Sequence, residues 1–243
     1  MYTHIPNEAS GTIDFKPLKK EYHVEKKKMN DETLVEIIEE CVNLCEEEYP
    51  NDVYSDCVEK MKKVNLENVS EDDVEQIIKR FLYTWGSMGR VLGQKKVKGW
   101  KNKLTILIQQ EYRELEELRK KDLVHTELDT FENKIREYYE SFKEILKTTA
   151  SGKVMHLICP DFFPSWDTGI RKSIANLHGY KNDEDYYKFM QATQSFLKHY
   201  EQVFSNLSDK YERNKLRILD ELFWYHTQNP FWLFKDISTT QGG

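Results

Sequence analysis

Nowhere in the 243 residues does an apolar run reach the roughly eighteen positions that a membrane-spanning helix requires. The opening residues, MYTHIPNEASGT, lack a basic stretch followed by an apolar one, so no secretion signal is expected. Both absences point to a cytoplasmic chain with no membrane partner. Cysteine is scarce, confined to Cys41, Cys45, Cys57 and Cys159. In a chain of this size without a leader these read as reduced core thiols and not as a disulfide framework. Cys41 and Cys45 stand one helical turn apart, but no His or Cys pair follows at a spacing that closes a zinc or iron–sulfur site, so neither metal nor cofactor is expected. Strand-like alternation and internal repeats are missing as well, which excludes sheet folds and solenoids.

What is present suits a helical core. Hydrophobic residues make up 39% of the chain and aromatics 13%, enough to bury a core despite a charged fraction of 32%. Apolar residues recur at three and four positions: Leu34, Ile37, Ile38, Cys41 and Cys45, then Val74 to Trp85 behind a capping-box-like Ser70 and Asp73. Further stripes run from Trp100 to Leu118 and from Leu128 to Leu146, and a short helix is expected from about Gly152 to just before Pro160. Asp167 is placed to cap a helix through Ile170 and Ile174, and Asp183 and Ser208 to start the last two. The expectation is an all-α, compact bundle of about eight helices. Residues 1–29 read as an arm, 30–236 as one helical domain and 237–243 as a tail.

The net charge of −6 argues mildly against a nucleic-acid partner, but charge is segregated along the chain. Acid gathers in Glu36 to Glu48 and Glu71 to Glu75. Base gathers in Lys16 to Lys28 and from Arg90 to Lys103, with Lys95, Lys96, Lys98 and Lys101. Such a molecule can present one basic face.

The segment richest in chemistry is Thr148-Thr149-Ala150-Ser151-Gly152-Lys153-Val154-Met155-His156, followed by an aromatic loop, Phe163-Pro164-Ser165-Trp166-Asp167. A small-residue turn opening a helix with an early Lys, then a Pro-containing loop and an Asp that caps the next helix, resembles the helix-hairpin-helix DNA glycosylase superfamily. The chain has Ala150-Ser151-Gly152 where that family carries two glycines flanking a hydrophobic residue, and a shorter spacing from Lys153 to Asp167. The resemblance implies a two-lobed helical fold, double-stranded DNA as partner, a flipped base and a monomer. One similar group removes modified bases of viral DNA in bacterial defence.

The residue chemistry is consistent with that resemblance. Breaking an N-glycosidic bond builds positive charge on the sugar, and a carboxylate at Asp167 stabilises it or activates water. Lys153, read as lying in the first helical turn, is a candidate amine nucleophile. The backbone N–H groups of Ser151 and Gly152, with Thr148 or Thr149, are candidates to hold a phosphate, joined by Arg171. A second cluster, Tyr83, Trp85, Met88 and Arg90, with Trp166, supplies a candidate base pocket. Each residue has a plainer reading: Asp167 as an N-cap, Lys153 as a solvated side chain or a phosphate contact, His156 as a hydrogen-bonded core histidine, Trp85 as the end of a core stripe. Asp220, one turn before Trp224 on an apolar face, reads as a buried partner for Arg171 or another base. The competing function is a non-catalytic helical module that binds protein or nucleic acid.

Overall fold

The computed structural model describes residues 30–48, 53–85, 89–93, 98–171 and 185–228. Among these no strand occurs, and the order is α1 (Asp31–Glu48), α2 (Val53–Lys63), α3 (Glu71–Asp73), α4 (Gly89–Leu92), α5 (Trp100–Gln110), α6 (Tyr112–Arg119), α7 (Glu132–Leu146) and α8 (Thr148–Ile158). Then follow the helical residues 168–171, termed α9, and α10 (Tyr186–His199), α11 (Glu201–Tyr211) and α12 (Lys215–Gln228). The expected arm, 1–29, and tail, 237–243, lie outside the described residues.

Short polar side chains start these helices by satisfying N–H groups that have no partner one turn back. Asn30 Oδ1 accepts from Thr33 N at 2.8 Å. Ser70 and Asp73 form the expected capping box, with Asp73 N donating to Ser70 Oγ at 3.1 Å and Ser70 N to Asp73 Oδ2 at 2.9 Å. Asp185, not the expected Asp183, caps α10, and Asp183 itself lies outside the described residues. Ser208 starts no helix. It sits near the end of α11, where its hydroxyl donates to Arg213 O at 2.5 Å, and Asn214 caps α12 by accepting Arg217 N at 2.6 Å.

Two long apolar stripes are cut in the middle. The stripe from Trp100 breaks at Glu111, whose φ of −100° and ψ of 12° separate α5 from α6. The stripe through Phe196 and Val203 breaks at Tyr200. The apolar period survives both breaks, which is why it does not reveal them. After α3 the chain winds wide, in two π-helical stretches, Val74–Lys79 and Phe81–Trp85. Phe81 and Trp85 still stack, with ring centroids 4.8 Å apart.

One buried cluster runs through all the long elements, with α1 packed on α12, α7 on α8 and α2 on α8. α8 is the central strut: every residue from Ala150 to Ile158 is buried. It begins at Thr148, earlier than the expected Gly152, out of the left-handed turn at Lys147 (φ 71°). Gly152 is required by close approach. A Cβ there would lie 3.1 Å from Trp166 Cβ and 3.2 Å from Trp166 O, so the aromatic loop lies directly against the helix.

Candidate functional site

A helix wholly inside a protein has no solvated face for polar residues, so Lys153 and His156 on α8 need internal partners. They lie three residues apart and face the same side. His156 is fully buried, with Nδ1 2.7 Å from Phe163 O and Nε2 2.8 Å from Tyr54 Oη. A carbonyl only accepts, so Nδ1 carries the proton and Nε2 accepts from the Tyr54 hydroxyl. Burial, reinforced by the charges of Arg217 and Lys153 and opposed by the bond to Phe163 O, pushes His156 down to about 4. The imidazole is therefore neutral near pH 7, in keeping with a hydrogen-bonded core histidine.

Beside this relay α12 delivers Arg217, Asp220 and Glu221, three and four residues apart and all buried. Arg217 Nη2 is 2.8 Å from Glu221 Oε1 and its Nη1 is 3.7 Å from Asp220 Oδ2. Its guanidinium lies over two rings, 4.5 Å from the Tyr54 centroid and 5.4 Å from that of Trp85. Arg213 Nη1 reaches both oxygens of Glu221, at 2.9 and 3.1 Å, and its Nη2 donates to Glu46 on α1 at 2.9 Å. Two guanidinium groups thus occupy Glu221, while the guanidinium contact of Asp220 is the longer one.

Lys153 completes the cluster. It is not the solvated lysine that a helix start suggests: it is 7% exposed, and its ammonium sits 4.4 Å from the Trp85 ring centroid, on the electron-rich face that attracts cations. Among the described residues no hydrogen bond or ion pair reaches that ammonium. Asp220 is raised above the usual carboxylate range, first by burial and also by the charge of Asp167, against the lowering effects of Lys153, Arg217 and the Ser165 hydroxyl. The charges of Lys153, from α8, and of Asp167, from the aromatic loop, thus both act on Asp220 of α12.

The other expected site residues fall into distinct places. Asp167 Oδ1 accepts Ile170 N at 2.9 Å, so the residue does cap a helix. Thr149 Oγ1 lies 3.1 Å from Thr168 Oγ1, which joins the start of α8 to the start of α9, and Arg171 Nη2 donates to Thr168 Oγ1 at 3.4 Å. Ser151 and Gly152 are not phosphate donors. Ser151 N is bonded to Lys147 O at 3.0 Å within α8 and Ser151 and Gly152 are buried, so the N–H groups of the helix start that lack a partner one turn back are those of Thr148, Thr149 and Ala150. Lys153 is for the same reason in the second turn and not the first, beyond the main reach of the helix dipole.

Trp166 is no pocket wall. It is 2% exposed and packed among Tyr139, Tyr186 and Phe189 at centroid distances of 5.5, 5.2 and 5.5 Å. Trp85 is partly buried against the core, whereas Tyr83 is 38% exposed. Lys98 is exposed, but Lys101 is committed to Glu75 at 2.6 Å. Met88, Lys95 and Lys96, and the side chain of Arg90, lie outside the described residues. The cations near Asp220 are Arg217 and Lys153. Arg213, Arg217 and Glu221 escape a reading by apolar period, although their four-residue spacing on an apolar helix is visible in the sequence.

Among the described residues no group of three or more His, Cys, Asp or Glu side chains can hold a metal ion, and no helix is long and apolar enough to cross a membrane. A scan against protein-family models finds no match for the chain, and searches of curated proteins and of solved structures find none either.

Proposed function

We propose that the protein excises a damaged or modified base, flipped out of duplex DNA, by cleaving its N-glycosidic bond. The observation that carries this reading is the buried amine of Lys153, held over the Trp85 ring and acting, like Asp167, on the charge of the buried carboxylate Asp220. An oxocarbenium-like sugar calls for a nearby negative charge, and a nucleophilic route calls for an amine that is held but not hydrogen-bonded away. Tyr83 is the exposed aromatic left to stack on the base. Thr148, Thr149, Arg171, Lys98 and the flanking Arg90, Lys95 and Lys96 are the candidates for backbone contact. A modified base of phage DNA fits the same chemistry, and a cytoplasmic monomer is the form in which we expect the protein to act.

The test is incubation with duplexes carrying different modified bases, followed by alkali to cut abasic sites. Release of one base supports the reading and names the substrate, whereas intact strands from every duplex overturn it. The pairing of Lys101 with Glu75 favours a second reading, a non-catalytic helical module that binds a protein, because it removes a cation from the basic stretch. That reading predicts no strand scission and no salt-dependent retention on DNA.

A further inference from the structure

We propose that a groove between α6 and the start of α7 binds a small aromatic zwitterion, the chemical class of the free aromatic amino acids. On α6, Arg113 and Glu117 stand four residues apart, as do Glu114 and Leu118, so the four share one side of the helix. Phe131, just before α7, with Lys134 and Tyr138 follows the same three-and-four spacing and lines the opposite wall. The groove encloses about 330 Å³, at the lower end of the roughly 300–1,000 Å³ usual for small-molecule sites. It shares no residue with the proposed glycosidic site. Phe131 does meet Phe162, at the head of the loop that carries Asp167, edge to face at 6.2 Å.

The floor is apolar. Leu118 and Tyr138 are buried in it, and Phe131 packs partly buried against the core. A flat ring gains most on such a surface, by area removed from water and by ring-to-ring contact. The charges at the rim decide what the ring must carry. Glu117 is taken by Lys120 at 3.0 Å, and Lys134 lies 3.5 Å from Glu137 and 3.8 Å from Glu111, over the Tyr138 ring. Arg113 and Glu114 are exposed, and among the described residues neither has an ion-pair partner within 4 Å. Arg113 Nε donates to Tyr112 Oη at 2.9 Å, which leaves the terminal guanidinium nitrogens for an incoming carboxylate. One unmatched charge of each sign beside an apolar floor complements a molecule that has a ring, a carboxylate and an ammonium. An uncharged ring would leave both charges unmatched, and a nucleotide would set its phosphate beside Glu114 and Glu117.

NMR titration of the isotope-labelled full chain with L-tryptophan, tryptamine and indole-3-propionate reads the ring, the ammonium and the carboxylate separately. L-Tryptophan should bind saturably with a dissociation constant on the order of a millimolar, as suits a small ligand in an open groove. Its shift changes should centre on the groove residues of α6 and α7. Arg113→Gln should weaken L-tryptophan and indole-3-propionate by about threefold or more, the size expected of an exposed charge contact, and leave tryptamine unchanged. Glu114→Gln should weaken L-tryptophan and tryptamine and leave indole-3-propionate unchanged. Both side chains are exposed, so the variants should fold, and an unchanged far-ultraviolet circular dichroism spectrum checks it. No saturable binding of L-tryptophan, or shift changes centred elsewhere, overturns the proposal. Equal affinity for the three ligands, or binding that neither variant alters, overturns it too, since the rim charges would then select nothing.

Discussion

Glu221 is 1% exposed and accepts from two arginines on its own helix side, one of which continues to Glu46 on α1. A buried ion pair adds little compared with well-packed apolar residues, but losing one partner leaves a charge with no solvent and no counter-charge. Glu221→Ala should therefore destabilise the protein by about 3–5 kcal/mol, read from urea unfolding. The double variant Arg217→Met, Glu221→Leu should recover most of that loss. His156 gives a second prediction at this scale. Its proton affinity drops from 6.5 in the unfolded chain to about 4 in the folded one, so the unfolded state binds more protons between those values. Stability from this group is complete above pH 6.5 and declines as pH falls towards 4, by about 3 kcal/mol in all. Asp220 and Glu221, raised by burial, act with the opposite sign, losing stability as pH rises from the ordinary carboxylate range. His156→Gln should flatten the decline between pH 6.5 and 4 while leaving the carboxylate contribution in place.

Among the elements, α8 and the loop against it define the site's geometry. Gly152→Ala forces Trp166 backbone to move by a few tenths of an ångström, since the new methyl would meet its carbonyl oxygen at 3.2 Å. A cost of about 1–3 kcal/mol is expected in thermal or chemical unfolding, with any activity lost alongside, because Asp167 follows Trp166 directly. Asp167→Asn keeps an acceptor for Ile170 N and removes only the charge, so its folding stability should stay near wild type, as chemical denaturation would register. Much of this framework was legible in the sequence: the apolar periods placed α1, α7 and α12, and Ser70, Asp73 and Asp167 announced their caps, whereas α2 was not expected. The breaks at Glu111 and Tyr200 were not, because neither position carries Gly or Pro and the apolar period runs through them. Lys153 and Asp167 were recognisable from their local setting. Asp220 reads from the sequence as a buried partner for Arg171 or another base, but the cations that act on it, Arg217 and Lys153, were not legible, since a separation of 67 positions from Lys153 leaves no local signal of a tertiary contact.

For the molecule as a whole, all four cysteines are free and buried. Burial pushes Cys45 up to about 12, so its thiolate is scarce at neutral pH. Thiol reagents should label the native protein slowly and reach all four sites once it is unfolded, without prior reductant. Fewer than four labelled thiols in the unfolded, unreduced protein would mean that disulfides form. The links between α1 and the region around α12 have a kinetic consequence. Lys210 to Glu39, Arg213 to Glu46 and Arg217 to Cys45 join positions 171, 167 and 172 residues apart. Contacts of such long range are slow to form, because the intervening loop must be closed before they return any free energy. On a ribosome, Glu46 is made long before Arg213, and Lys153 before Asp220. The nascent chain therefore carries an incomplete charge cluster until α12 emerges, and the site is assembled only in the last docking event of folding.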